Sequence, residues 1–209
     1  KAVYYDRFEK YIRPFSDHCI GSYAFLWGAK QEYTETWFGL FSKDNQPTEP
    51  IDALEAVFTG KYPVAGAPTL TAVKLNGKSS SENIQLKSGE RYTANVIAGI
   101  SVGIASSFPD TSGFLNYSWK VLRESDDKKS GGDREDAAEE VKVSMQQAST
   151  STIRFRAPET EGAYRLFVTV QANGKKAYAN IPFLVEPRTA ADGPAHFIEF
   201  KQQTMDFSK

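Results

Sequence analysis

Between residues 27 and 38, flat aromatic side chains alternate with groups that donate, accept or carry charge. Trp27, Tyr33, Trp37 and Phe38 stand among Lys30, Gln31, Glu32, Thr34 and Thr36. A saccharide presents both kinds of surface. Its axial C–H faces lie on aromatic rings, and its hydroxyls need partners whose absence leaves a desolvation cost. The same aromatics could equally form the apolar cover of a core. Two carboxylates, Glu32 and Glu35, lie in the stretch. Hydrolysis between two carboxyls needs them about 5 to 5.5 Å apart for retention or about 6.5 to 9.5 Å for inversion. On an extended segment only residues an even number apart share a face, at about 7 Å for the nearest pair, and these two are three apart. They are not expected to be a catalytic pair. No nucleophilic triad, phosphate loop, dinucleotide fingerprint or metal-binding helix is present, so no cofactor and no metal are expected.

The elements that must position this loop are legible on either side of it. The run GSYAFLWG at 21–28 contains an unbroken apolar stretch, 23–27, bounded by glycines, which suits a short strand covered on both faces. Before it, Tyr4, Tyr5, Phe8, Tyr11, Ile12 and Phe15 recur at helical spacing, with Pro14 ending or kinking the helix near Arg13. His18 reads as a loop or capping residue and Cys19 as a buried helix-end residue. After the loop, a polar turn over 42–50 leads into a second helix of about ten residues. Thr48 is its N-cap, Glu49 and Pro50 its first turn, Ile51, Leu54, Val57 and Phe58 its apolar face, and Gly60 its stop. Helix, buried strand, loop and helix is the rhythm of a βα repeat, in which chemistry gathers in the loop after the strand. A single parallel strand still needs hydrogen-bonded neighbours on both sides. They could come from an upstream part of a longer chain, from a second chain, or from the edge of the sheet downstream.

Downstream the period changes. After the small-residue linker at 64–68, alternating runs at 69–75, 83–86, 92–98, 116–123, 152–156, 164–171 and 177–185 read as strands. Asn76-Gly77 and Asn173-Gly174 read as tight turns, the second being the strongest hairpin signal. About seven strands in this length indicate an all-β immunoglobulin-like or fibronectin-like sandwich over 69–186, with Trp119 in its core. Residues 124–140 form an acidic insertion without calcium-loop spacing and read as solvated. The irregular loop 99–113 could reach across the N-terminal part. Residues 187–209 form a polar linker and a short apolar-aromatic tail.

Composition narrows the partners. The 209 residues carry a formal charge of −1, which gives no basic field for nucleic acid or an anionic membrane surface. No apolar segment approaches the roughly 20 residues of a membrane span. One cysteine excludes an intrachain disulfide.

The spacing GSYxFxWG at 21–28, then KQExTxTWxG at 30–39, Asp52 in the following helix and TGKxP at 59–63 resembles the last strand and last helix of a TIM barrel of the glycoside hydrolase family 2 type. EGAYRLFV at 161–168 and ANIPFLV at 179–185 resemble, more weakly, the β-sandwich that follows such barrels. The resemblance implies a mixed architecture. Residues 1–63 would be the last βα repeat of a barrel, 64–68 a linker, 69–186 an immunoglobulin-like sandwich and 187–209 a tail. It further implies that Trp27 floors a sugar site, with Lys30, Glu32, Tyr33 and Trp37 as neighbouring substrate-binding residues. The catalytic glutamates of such enzymes lie on the fourth and seventh strands, which this chain does not contain. The remainder of the barrel and an oligo- or polysaccharide are then the expected partners, and the expected location is secreted, periplasmic or on the cell surface, in a bacterium. A non-catalytic carbohydrate-binding or adhesion module is the alternative, and a sandwich spacer with no ligand is a third.

Overall fold

In a computed structural model the described residues are 1–36, 39–100, 103, 114–127, 129 and 135–188. Among the described residues nine strands make two sheets: β1 (Pro68–Leu75), β2 (Gln85–Lys87), β3 (Arg91–Ile100), β4 (Asn116–Arg123), β5 (Glu140–Val141), β6 (Met145–Gln146), β7 (Thr152–Arg156), β8 (Gly162–Ala172) and β9 (Lys175–Glu186). One sheet has the order β1-β3-β7-β6 and the other β2-β9-β8-β4-β5. All pairings are antiparallel except β2 with β9, which is parallel. Two sheets in this order, connected in this way, make an immunoglobulin-like sandwich.

Period-two alternation builds its core. Trp119 and Val121 of β4, Leu166 and Val168 of β8, and Ile181 and Phe183 of β9 face Ala94, Val96, Ile153 and Phe155 of the other sheet. Trp119 is buried as expected, and its indole Nε1 donates to the Thr150 carbonyl at 3.0 Å. Tyr164, at the start of β8, is fully buried and its hydroxyl donates to the Thr160 carbonyl, 2.9 Å away and four residues back. This is the tyrosine corner of such sandwiches. Leu166, two residues on, occupies the place where antibody domains have a disulfide cysteine, so apolar packing replaces the covalent staple. Asn173 and Gly174 both take positive φ, 54° and 70°, and close the β8–β9 hairpin as a two-residue turn. The strands at 116–123 and 152–156 match the sequence expectation residue for residue. The two-residue β5 and β6 were not foreseen, because so short a segment carries no period.

The N-terminal part is helical and irregular. α1 (Ala2–Tyr11) ends in a 3-10 turn (Arg13–Phe15), as Pro14 requires. α2 (Glu49–Thr59) begins after Thr48 and stops at Gly60, whose φ of 74° is left-handed. The face of α2 that packs is offset from expectation: Asp52, Ala53, Ala56 and Val57 are buried, whereas Phe58 is exposed and meets Phe8 of α1 edge-on. The two alanines let the helix approach closely, and the buried carboxylate has a specific partner.

The run at 23–27 is not a strand, and it is not buried. Tyr23, Phe25 and Trp27 are exposed, and the backbone there bonds to the returning chain, Leu40 N donating to Leu26 O at 2.9 Å and Phe41 N to Gly28 O at 3.4 Å, and to α1, the Tyr4 hydroxyl donating to Phe25 O at 2.5 Å. No neighbouring strand among the described residues satisfies its backbone groups, so the apolar run lacks what would make it a strand. Cys19 is half-buried and His18 exposed. Among the described residues no helix is long and apolar enough to cross a membrane. Trp37, Phe38, most of the loop 99–113 and all of 189–209 lie outside the described residues.

Candidate functional site

The aromatic loop is a tight structure. Leu40 and Phe41 return beneath Leu26 and Gly28, and Trp27 stacks edge-on against Phe41 at 4.8 Å between ring centroids while remaining 76% exposed. Gly39 sits so close that a β-carbon there would lie 2.8 Å from the carbonyl oxygens of both Gly28 and Phe41. Lys30 pairs with Glu32, so the carboxylate at 32 is neutralised within the loop. Tyr33 stands at the tip, 43% exposed, with a φ of 55°. Of the five expected binding residues, the structure therefore brings Lys30 and Glu32 into contact, leaves the rings of Trp27 and Tyr33 open to solvent, and does not describe Trp37.

The loop lies across the outer face of the second sheet. By alternation, Leu122 of β4 and Phe167 of β8 point away from the core, yet both are buried, so this face is covered. Charge pairs pin the cover. Lys120 of β4 meets Glu35, and Lys176 of β9 meets Asp44 at 2.5 Å. Glu35 is thus held by a lysine of the sandwich, and each carboxylate of the loop has a lysine partner. The Asp44 carboxyl is held below the usual aspartate range, chiefly by its bond from Lys176 and then by that from Ser42. Burial raises the phenol of Tyr178 on the same face. Between loop and sheet runs a polar cleft of about 310 Å³, lined among others by Glu35, Asp44, Ser118, Lys120, Lys176 and Tyr178.

The acidic insertion also takes part through one residue, its other described residues over 124–140 being half-buried or exposed as its solvated reading expects. Glu135 is 2% exposed. Its Oε2 accepts the Tyr33 backbone N–H at 2.6 Å and its Oε1 that of Lys129 at 2.9 Å. One buried carboxylate in a charged run carries no distinguishing signal, so sequence reasoning missed it, as it missed Lys120 and Lys176. Strand alternation could have placed the two lysines on the outward face, but not what covers it. No group of three or more potential metal ligands occurs among the described residues.

No protein-family profile matches the chain, and no curated protein matches it. Solved structures are similar at low scores. A nucleoside hydrolase-related hypothetical protein from Saccharophagus degradans, associated with carbohydrate metabolism, is 18% identical over 67% of this chain and 30% of its own, with a TM-score of 0.39. The endo-β-1,4-mannanase from Thermotoga petrophila is 15% identical over 66% of this chain and 23% of its own, at 0.31. The Dscam1 Ig7 domain is 9% identical over 57% of this chain and 96% of its own, at 0.28. The chain thus spans less than a third of the first two. The sandwich assignment rests on the strand order itself.

Proposed function

We propose that this chain is the C-terminal portion of an exported bacterial glycoside hydrolase, supplying an aromatic saccharide subsite and an accessory sandwich that holds it. The catalytic glutamates would belong to the rest of a TIM barrel. One observation carries the reading: the N-terminal part leaves its apolar side uncovered. α1 is half-buried against α2 through Phe8, whereas Ile20, Tyr23, Phe25 and Trp27 are all exposed. Four large apolar side chains exposed within eight residues are a candidate site of association. These residues fall in the segment whose sequence resembles a last barrel repeat, so the rest of such a barrel would be the fitting cover and Trp27 the residue at the sugar site. In the same reading the loop's own carboxylates are structural, in keeping with their lysine pairs.

The test compares this chain with the product of the whole reading frame that encodes it, on a panel of aryl glycosides and plant polysaccharides. Hydrolysis by the longer product alone, with Trp27→Ala raising KM, supports the proposal. Retention of a polysaccharide by this chain alone, abolished by Trp27→Ala, with hydrolysis by neither, would replace it with the non-catalytic binding module.

A further inference from the structure

We infer that Glu135 is a positioning residue for the aromatic loop: through this carboxylate the sandwich fixes the backbone of Tyr33 and so the direction in which its ring meets a saccharide. The inference rests on the saccharide reading above and extends it to a residue 102 positions away in the chain.

Three observations carry it. First, Tyr33 is held in a conformation it would not choose. Its φ is 55°, and Thr34 N donates to Glu32 O at 2.5 Å while Glu32 N donates to Thr34 O at 3.1 Å, closing a tight turn around it. A tyrosine in the left-handed region is strained and persists only where its surroundings over-determine it. Second, that turn leaves the Tyr33 N–H without a partner of its own, and Glu135 Oε2 accepts it at 2.6 Å. The second oxygen accepts Lys129 N at 2.9 Å, so both oxygens of a carboxylate only 2% exposed are bonded to backbone N–H groups. A buried carboxylate is costly unless its oxygens are satisfied in this way. Third, a seam that needed only packing would be filled at least as well by an apolar side chain. Strain and a buried charge are instead combined to hold a ring that remains 43% exposed. Strain of this kind gathers at binding sites, where it fixes a group in advance of its ligand.

The experiment follows amide hydrogen exchange in the 209-residue chain with Glu135 intact, Glu135→Gln and Glu135→Ala, alongside the β8 amides that report the sandwich. In the alanine variant both the Tyr33 and Lys129 amides should exchange about tenfold faster or more, with β8 unchanged. Glutamine has one acceptor oxygen where glutamate has two. It should therefore keep one of the two amides protected and release the other, which simple space-filling would not do. Unchanged Tyr33 exchange in the alanine variant, acceleration shared equally by β8, or a glutamine variant indistinguishable from the parent would each overturn the inference. No saccharide enters the measurement, so failure of this clamp and failure of the glycan reading are separate outcomes.

Discussion

At Gly39 the absence of a side chain is what lets the aromatic loop close. Two backbone carbonyl oxygens, of Gly28 and Phe41, stand 2.8 Å from where a β-carbon would be, and backbone cannot swing aside as a side-chain tip can. Gly39→Ala should therefore destabilise the fold by about 1 to 3 kcal/mol, the usual cost of overpacking, and displace the returning chain at Leu40 and Phe41. Urea denaturation would show the loss, and faster exchange of the Leu40 and Phe41 amides, which bond Leu26 O and Gly28 O, would show the displacement. An unchanged midpoint would mean that the loop adapts and contributes little. Tyr164 makes the opposite kind of single-residue contribution. Tyr164→Phe keeps the packing of a fully buried ring and deletes only the hydroxyl's bond to the Thr160 carbonyl. About 1 kcal/mol should be lost, read as a lower urea midpoint with an unchanged slope. At this scale the sequence discloses residue type and little of partnership. Trp27 and Tyr33 stand out by composition, whereas Glu135 matters only because folding brings it to a backbone N–H far along the chain.

Among the elements, α2 is joined to the β8–β9 hairpin by one buried aspartate. Asp52 is fully buried, paired with Lys175 just past the hairpin turn, and accepts the Ala67 N–H at 2.5 Å and the Tyr62 hydroxyl at 3.3 Å. Removing one partner of a buried pair leaves the other charge uncompensated. Asp52→Ala should therefore cost about 3 to 5 kcal/mol, and the double change Asp52→Ala with Lys175→Met should recover part of it. Thermal unfolding of the set would show this, and additive losses would mean that the pair is not coupled. The same cluster sets an alkaline limit. Burial, then the neighbouring carboxylates of Asp52 and Glu49, raise the Tyr62 phenol above its ordinary value of 10.0. The folded state thus keeps a proton that the unfolded chain gives up. The associated stability is whole below pH 10 and declines as pH rises beyond it. Tyr62→Phe should flatten that decline in the pH dependence of the urea midpoint. The sandwich strands were legible because alternation and Asn-Gly turns are local signals. The helical stops at Pro14 and Gly60 were legible for the same reason. The run at 23–27 was not, because whether an apolar run becomes a strand depends on neighbours that no local pattern supplies. The packing face of α2 slipped by one position because Asp52, polar by type, is the residue its environment buries.

Across the whole molecule the two halves meet by charge and part by exposure. Lys120, Lys175 and Lys176 of the sandwich each hold a carboxylate of the N-terminal part, and Glu135 holds its backbone, so one side of that part is fixed. The same part presents Ile20, Tyr23, Phe25 and Trp27 to solvent. A formal charge of −1 provides little repulsion between copies. These facts predict that the chain by itself binds an apolar dye and self-associates as its concentration rises, a liability that a covering barrel would remove. Sedimentation velocity over a concentration series, with and without Ile20→Ser and Tyr23→Ser together, is the check. Both side chains are fully exposed, so the double change should leave thermal stability nearly unaltered while reducing association and dye binding. If the parent chain stays monomeric and dark at high concentration, the apolar surface is not adhesive. The case for a barrel as its cover would then lose the observation that carries it.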